Sequence, residues 1–506
     1  MKRNNILSLS VLACSLAMTT SCGDDFLNVT PPSQLPIEEY FTQAAHVEEA
    51  VVAAYDPLQW PDWAMGQYNP VNIMSDIMAD QIWVGGADKT DNQFWHLMMN
   101  YEAIPTNTMS GLWVDAYSGV KRCNDVLLYL TWVENMPQAR RTQLEAQVRV
   151  LRVFYYNWLW KFWGNIPYFE VNLDAPYLGE QLTADAVYAK MVADLECALA
   201  LVALPMTETG TGNQGRVTKA MANMLFAEIV MYQKDTERYA KALELMKEII
   251  NSGKYALNPD FGKIFKVEGE WSKESIFEIN YKNENAVRSW GNPQAAGGTV
   301  LPRLISPSGW ADGKAGHDNG WGFCPLRAET FQLYSATDTR RDATCWNAAA
   351  AGSYNARYQD TGFFLEKYVA QSGGNANHNA DGDLNFNNNL RIYRYAETLL
   401  NAAELALLTG NTAGASDWLK AVRERAGLAG MPAVTLESIW QERRLEFVGE
   451  GKRYWDLIRT SQAPSVLVPD AYGYRTNGWT EARKYLPIPQ SEIDAAQGTL
   501  KQNPNY

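Results

Sequence analysis

Tryptophan and tyrosine are the residues of this chain whose number and placement indicate chemistry. The 506 residues include 18 Trp, 26 Tyr and 16 Phe, so aromatic residues make up 12% of the chain. An indole ring is flat and apolar, and it can stack on the C–H face of a pyranose while nearby polar side chains bind the hydroxyls. The aromatic excess therefore predicts a ligand-binding face in addition to a large core.

Many of these rings fall in residues 59–111 and 253–390, two stretches rich in Gly, Asn and Asp, and the second also contains Trp321. Each single loop tryptophan can also be a core residue. We expect one exposed face to be formed by Trp83, Trp95, Trp290 and Trp310, with weaker support for Trp60, Trp63 and Tyr68. The candidate partners for ligand hydroxyls are Asp62, Asn92, Asn292, Arg303 and Asp312. By contrast, Trp158, Trp160 and Trp163 belong to a dense helical pattern and are predicted to be core.

Catalytic and metal motifs give little support for an enzyme. The chain has four His, with no HExxH, no His pair at metal-ligand spacing and no GxSxG. A glycosidase with two carboxylates stays open, because any of 57 acidic residues can pair in space. The GxGxxG at 210–215 follows a helix rather than a strand, which indicates an interhelix loop. Residues 381–387 alternate oxygen ligands like a calcium loop but lack its sixth-position Gly, so a polar surface loop is the default and bound Ca²⁺ stays open.

The charge and cysteine content exclude two further classes. The formal net charge of −13 repels phosphates, so a nucleic-acid partner is not expected. Beyond Cys14 and Cys22, only four Cys remain, which is too few for a disulfide-based fold. Cys324 and Cys345 can form a disulfide or remain free thiols, and the sequence leaves both open.

The amino terminus is typical of a bacterial lipoprotein signal peptide. Lys2 and Arg3 precede an apolar stretch, residues 6–18, that is too short to span a bilayer. Thr20-Ser21-Cys22 then resembles a lipobox, although Thr19 stands where Leu is usual. We therefore expect residues 1–21 to be removed and Cys22 to be lipidated. An ordinary secretory peptide is the alternative.

The elements that position the loop aromatics are predicted to be helices. Apolar residues recur at spacings of three or four in residues 112–133, 138–163, 184–204, 218–233, 237–251, 391–408, 413–426 and 436–448. Short polar turns join many of these helices into tetratricopeptide-like hairpins. Strand patterns occur at 275–281 and 362–369. The predicted fold is mostly α, with helical hairpins packed against a loop-rich half that has a few short strands.

Several motifs in order resemble the SusD/RagB family of surface lipoproteins. They are CGDDFL at 22–27, RVTKA at 216–220, GWG at 320–322, DTR at 338–340, RYAETLLNAAE at 394–404, ERRLEF at 442–447, GKRYWDLIR at 451–459, LPIP at 486–489 and QNPNY at 502–506. Each motif is weak alone, but the ordered set is specific. The chain departs trivially at Asn505, where the family often has Gly.

The resemblance implies a lipid-anchored protein on the outer-membrane surface that covers a SusC-like TonB-dependent transporter as a lid. It implies a glycan ligand, bound without cleavage and without a cofactor. A peptide-binding lid of the same architecture and a surface glycosidase are the alternatives. The expected organisation is a signal peptide at 1–21, an N-terminal SusD-like helical region at 22–252 with a ligand-loop insertion near 59–111, and a loop-rich then helical C-terminal region at 253–506. The motif residues Arg443, Arg444, Glu446 and Asp456 are expected to form ion pairs between C-terminal segments.

Overall fold

The computed structural model of the protein describes residues 35–208, 210, 212–311 and 316–506. The predicted signal peptide, the lipidation site Cys22 and the candidate Asp312 lie outside these residues. The helices of the amino-terminal half are α1 Ile37–Tyr40, α2 Ala44–Tyr55, α3 Val71–Asp76, α4 Gln93–Met99, α5 Gly111–Trp132, α6 Gln138–Trp163, α7 Ala184–Ala200, α8 Lys219–Gln233 and α9 Tyr239–Asn251. The helices that follow are α10 Leu301–Ile305, α11 Ala328–Gln332, α12 Arg340–Thr344, α13 Ala348–Ala351, α14 Tyr395–Leu408, α15 Ala415–Arg425, α16 Leu436–Glu446, α17 Arg453–Arg459, α18 Ala463–Val466 and α19 Gln490–Ala495.

The strands are short and pair only two at a time within the described residues. They are β1 Ile166–Pro167, β2 Gln181–Leu182, β3 Ser275–Ile279, β4 Cys345–Asn347, β5 Phe363–Leu365 and β6 Leu390–Arg394. The pairs β1–β2, β3–β6 and β4–β5 are all antiparallel. The predicted fold class is therefore confirmed.

The long helices form an array of antiparallel hairpins. Helix α5 packs on α6, α6 on α7, and α8 on α9. Helix α9 then packs on α14, which pairs with α15, so the array continues across the loop-rich segment between them. The core of this array includes Trp160 and Trp163, which are 1% and 0% exposed, as predicted.

Side-chain caps explain where several helices begin. The Thr183 and Thr218 hydroxyls accept hydrogen bonds from the backbone N–H groups of Ala186 and Met221. Thr435 forms a capping box with Ser438 at the start of α16. Each cap satisfies a backbone donor that has no partner inside the helix.

The helix predicted over 391–408 is wrong in its first turn. Residues Leu390–Arg394 form β6, and the helix begins only at Tyr395. The cause is non-local, because β6 pairs with β3, a strand more than a hundred residues earlier in the chain. Local periodicity does not report such a pairing.

A buried ion network joins the C-terminal helices to the loop-rich segment. Arg340 binds Glu442 and Glu446 of α16, at 2.6 and 3.0 Å. Arg443 pairs with Asp456 at 2.9 Å, as expected from the motif, whereas Arg444 pairs with Asp80 of the amino-terminal half at 2.9 Å. The motif residues thus act as structural cross-links between segments.

Two further features concern the described residues. None of their helices is long and apolar enough to cross a membrane. Cys123, Cys197, Cys324 and Cys345 are all free thiols.

Candidate functional site

Four aromatic rings from three separate segments meet at the surface. We call this group, Trp63, Tyr68, Trp290 and Trp321, the aromatic cluster. The Trp63 ring lies 4.9 Å from the Trp290 ring and 4.7 Å from the Tyr68 ring. The Trp290 and Trp321 rings lie 6.1 Å apart with their planes inclined by only 27°. Trp290 is 37% exposed and the other three rings are half-buried, so the cluster is open to solvent.

A tight hairpin places Trp63 opposite Tyr68. Ala64 and Gln67 exchange both backbone hydrogen bonds, at 2.9 and 2.8 Å. The two residues between them, Met65 and Gly66, have φ of 52° and 73°. Positive φ at both central positions is the signature of a type I′ turn, which matches the twist of the flanking strands. The residues that flank the bonded pair then form a directly opposed cross-strand pair.

A second two-residue turn carries Trp290 at its tip. Ser289 and Asn292 exchange backbone hydrogen bonds at 3.3 and 3.0 Å, which leaves Trp290 and Gly291 as the central residues. The Trp290 backbone N–H also donates to Oδ2 of Asp381 at 2.9 Å. The ring therefore projects from a turn whose backbone is held at both ends.

The third segment holds Trp321 between two glycines. The Trp321 backbone N–H donates to the carbonyl of Arg303 at 2.8 Å. A Cβ on Gly320 would lie 2.5 Å from the Ser306 carbonyl oxygen, so the backbone can approach this closely only with glycine there. Gly322, with φ of 72°, then turns the chain away.

The buried Arg288 guanidinium ties the two turns together. Arg288 is 1% exposed, and its Nη2 lies 2.6 Å from Oδ1 of Asp62. The same Nη2 donates to the carbonyl oxygens of Trp60 and Trp63, at 3.2 and 3.3 Å. Its Nε and Nη1 donate to carbonyls of its own segment, Pro293 and Gly298, both at 2.8 Å. One side chain thus fixes the hairpin of Trp63 relative to the turn of Trp290.

Charged pairs surround the aromatic cluster. Arg357 donates from Nη1 to the Trp321 carbonyl at 2.9 Å and lies 3.4 Å from Asp91. Arg303 lies 2.7 Å from Asp383, whose side chain is 41% exposed. Burial, followed by the negative charges of Asp91 and Asp383, raises the pKa of Tyr68 to about 12, so its hydroxyl stays protonated and can donate. Flat apolar rings edged by donors and acceptors suit a ligand with apolar faces and many hydroxyls.

The structure brings three of the seven predicted platform residues together. Trp63, Tyr68 and Trp290 all belong to the aromatic cluster. The expectation of an exposed ring is wrong for the other four, which are Trp60, Trp83, Trp95 and Trp310, with exposures of 3%, 1%, 0% and 6%.

The physical reason for burial differs among these four residues. Trp83 continues a bridge between chain segments, and the Arg327 guanidinium covers its ring at 3.7 Å. Trp95 lies on the inner face of α4 and donates from Nε1 to the Tyr68 carbonyl at 2.9 Å. Trp60 lies beneath Arg122. Trp310 packs at 4.5 Å against Trp346 in a small satellite core.

The predicted partners for ligand hydroxyls differ in where the structure places them. Asp62 is 3% exposed and is committed to Arg288 and to the Val300 backbone N–H, so its proposed role at a ligand is wrong. Arg303 borders the aromatic cluster through Asp383. Asn92 is the left-handed residue before α4, with φ of 52°, and Asn292 is an exposed residue of the Trp290 turn. A ligand contact of either asparagine side chain therefore stays a prediction.

The predicted exposed face did not include Trp321, although this residue lies in the predicted loop region and joins the aromatic cluster in the structure. Glycines flank it on both sides, and this pattern is a signal for a ring on a turn rather than in a core. The charged residues Asp91, Arg357 and Asp383 were not predicted at this face either, although Asp383 lies in the stretch 381–387 that the sequence marks by its oxygen-bearing side chains.

The described residues contain no candidate metal site, because their His, Cys, Asp and Glu side chains nowhere form a group of three or more that could hold an ion. Asp381 and Asp383 of the calcium-like stretch instead bind the Trp290 backbone and Arg303. These two acidic residues therefore hold the backbone of the Trp290 turn and the Arg303 side chain beside the aromatic cluster.

Two grooves in the protein surface are lined by residues outside the aromatic cluster. A groove of about 570 Å³ is lined by Trp113, Tyr117, Phe169 and Tyr177 and by the C-terminal segment near Leu500. A second, of about 490 Å³, lies between α2 and residues 212–216. Neither contains the charged pairs that surround the cluster.

Comparisons with protein families agree with these features. A family profile described as "SusD family" matches residues 309–506, and one described as "Starch-binding associating with outer membrane" matches residues 25–229. The chain is also similar to SusD-like protein P2 of Formosa agariphila, at 24% identity over 97% of this chain and 98% of that protein.

Solved structures share more of the sequence. Surface glycan-binding protein A from Bacteroides thetaiotaomicron is 62% identical, with a TM-score of 0.89 over 92% of this chain and 100% of that chain. That protein has also been solved in complex with laminarihexaose. Surface glycan-binding protein A from Bacteroides uniformis is 50% identical, with a TM-score of 0.83 over 91% of this chain and 99% of that one.

Proposed function

The chain belongs to the SusD/RagB family, and we propose that it is a surface glycan-binding protein whose site is the aromatic cluster. The observation that carries the proposal is the convergence of four solvent-accessible rings from three segments, edged by Asp91, Arg357 and Asp383. Rings of this kind stack on pyranose faces, and the charged groups supply hydrogen bonds to hydroxyls.

We propose a β-1,3-glucan as the ligand. The support is the laminarihexaose complex of a protein that is 62% identical to this chain. Several rings are needed because one stacked ring contributes only about 1 kcal/mol beyond burial. A flexible, fully solvated oligosaccharide also loses conformational freedom on binding, so the affinity of such an open site is on the order of micromolar to millimolar.

Native gel electrophoresis with embedded polysaccharide tests this proposal. The mature chain, residues 22–506 with Cys22 replaced by Ala, is run in gels containing laminarin, a β-1,4-glucan, an α-glucan or a peptide mixture. We expect retardation by laminarin. Retardation by the peptide mixture alone would favour the peptide-binding alternative, and release of reducing ends from laminarin would favour a glycosidase.

We further propose a lipid anchor at Cys22 and a SusC-like TonB-dependent transporter as the partner, with the chain as the lid of the uptake complex. The support is family membership and the lipobox-like Thr20-Ser21-Cys22. Several acyl chains give firm anchoring, because each buried CH₂ contributes about 0.8 kcal/mol.

Labelling with radioactive palmitate and affinity purification test the anchor and the partner. The full chain should take up the label and retain an outer-membrane barrel in mild detergent, whereas Cys22→Ala should take up none. Label that survives this substitution would contradict the anchor at Cys22, and recovery of the chain alone would contradict the partner.

A further inference from the structure

A second group of aromatic rings lies at the surface beyond Trp321. It consists of Tyr358, Tyr472 and Tyr474, which we call the tyrosine patch. The Tyr472 and Tyr474 rings are 6.0 Å apart with planes inclined by 16°, and the Tyr358 ring lies 5.5 Å from Tyr474. Tyr472 is 57% exposed, and the other two rings are half-buried.

The tyrosine patch rests on a rigid base. The buried Trp83 ring contacts both Tyr472 and Tyr474, at 6.0 and 5.2 Å. Oδ1 of Asp470 accepts the backbone N–H groups of these two tyrosines, at 2.7 and 3.2 Å. The rings are therefore presented in fixed positions before any ligand arrives, which lowers the entropic cost of binding.

Consecutive residues connect the tyrosine patch to the aromatic cluster. Arg357 reaches the Trp321 carbonyl and Asp91, while the neighbouring Tyr358 contacts Tyr474. The next residue, Gln359, is buried, and its Oε1 accepts the backbone N–H groups of Val84 and Gly85. The tyrosine patch is therefore linked to the aromatic cluster through the Arg357 side chain and the single peptide unit that joins Arg357 to Tyr358, whose Cα atoms are about 3.8 Å apart.

We propose that the tyrosine patch is a second carbohydrate-contact surface that takes glycosyl units extending beyond those on the aromatic cluster. The proposal rests on the proposed function, because both surfaces would bind one glycan chain. Polar groups suited to neutral hydroxyls border the patch: Glu329 accepts from the Tyr472 hydroxyl at 2.8 Å, and Asp470 lies beneath the turn. Carboxylates at this surface disfavour an anionic ligand.

Calorimetric titration with two ligand lengths tests the patch. Laminaritriose serves as the short probe and laminarin as the long one, each titrated into the mature chain and into Tyr472→Ala. The short probe should bind both proteins equally. The long probe should bind Tyr472→Ala about fivefold more weakly, a factor that corresponds to roughly 1 kcal/mol for one stacked ring.

Two further variants keep the test decisive. Tyr358→Ala should reproduce the length-selective loss. Tyr177→Ala removes an exposed tyrosine from the separate groove near Trp113 and should change neither titration. Unchanged laminarin affinity in both Tyr472→Ala and Tyr358→Ala would overturn the patch while leaving the proposed function intact. Failure of the unaltered chain to bind either probe would instead contradict the proposed function.

Discussion

Exposed and buried tryptophans occur close together in the same two sequence regions, 59–111 and 253–390, and have different roles. Trp290 stands at the tip of a turn and is 37% exposed, whereas Trp95 lies on the inner face of α4 and is fully buried. The buried ring supports the exposed ones, since its Nε1 donates to the Tyr68 carbonyl and its ring centre lies 5.5 Å from that of Phe323, two residues after Trp321. The exposed rings therefore rest on a second, buried set of rings.

Substitution should therefore change a different quantity in each set: protein stability for the buried rings and ligand affinity for the exposed rings. Loss of a buried ring removes packing and leaves a cavity, which lowers the free energy of unfolding. Loss of an exposed ring of the proposed site should remove a ligand contact and leave the fold almost unchanged.

The largest effect is expected from Trp95→Ala. Removing this fully buried indole should lower the free energy of unfolding by about 3–5 kcal/mol, because a large cavity opens and the Tyr68 carbonyl loses its donor. Urea unfolding monitored by circular dichroism measures the change. Trp95→Phe is the matched control: it keeps most of the volume and should lose less. Equal stability of Trp95→Ala and the unaltered chain would contradict the supporting role.

The second prediction concerns the link between the two turns. Arg288→Lys keeps the positive charge beside Asp62 but cannot reproduce the planar fork that reaches four carbonyls. We expect a loss of about 2 kcal/mol in unfolding free energy, because buried acceptors lose charged donors. Laminarin affinity should fall as well, since the Trp63 hairpin is no longer fixed relative to Trp290. An unchanged affinity together with the lowered stability would show that Arg288 acts on stability alone.

The third prediction concerns the exposed set. Trp290→Ala should weaken laminarin binding by roughly 1–3 kcal/mol. Its thermal midpoint should match that of the unaltered chain, because the ring is partly solvated at a turn tip. Calorimetric titration and thermal melting on the same sample provide both numbers. A lower melting temperature with unchanged affinity would show that Trp290 contributes to stability rather than to binding.

The smallest effect is expected at Asp115, a buried residue of α5 that feels the charges of Arg288 and Asp62. Burial raises the pKa of Asp115 to about 8, partly offset by Arg288, and its Oδ2 has no hydrogen-bond partner among the described residues. The folded carboxyl therefore stays mostly protonated from about pH 4 up to its pKa of about 8, whereas the unfolded carboxyl is ionised over this range. The folded state binds more protons there, so this group's contribution to stability falls as the pH rises through that window.

Asp115→Asn should remove this pH dependence. Its thermal midpoint relative to the unaltered chain should rise from pH 5 to pH 6, by an amount that corresponds to about 1.4 kcal/mol for this one pH unit. Other titrating groups largely cancel in this difference because Asn is nearly isosteric with Asp. A difference that stays constant between the two pH values would show that Asp115 is already ionised in the folded protein.

Much of the helical architecture was predictable because its information is local. Residues 138–163 carry apolar residues at helical spacing throughout, and the helix has those bounds in the structure. The strand Leu390–Arg394 was not predictable in this way, because its partner β3 lies far away in the sequence. Helix existence follows from nearby residues, whereas strand pairing follows from the whole chain.

The exposure of the loop tryptophans was only partly predictable. Trp83 and Trp95 sit in the apolar runs Ile82-Trp83-Val84 and Phe94-Trp95, and apolar neighbours of this kind indicate burial. Trp290 and Trp321 are each followed by Gly in a turn, which indicates the surface. Trp310 is followed by Ala311 rather than by Gly, and it is buried against Trp346, a contact that only the tertiary structure reveals.

A crystal structure of the mature chain with laminarihexaose would show directly which surface holds the glycan. We expect pyranose rings stacked about 4 Å from the faces of Trp290 and Trp321, with hydroxyls bound by Asp91, Arg357 or Asp383. A hexasaccharide seated instead in the groove of Trp113, Tyr117 and Phe169, with the aromatic cluster unoccupied, would contradict it.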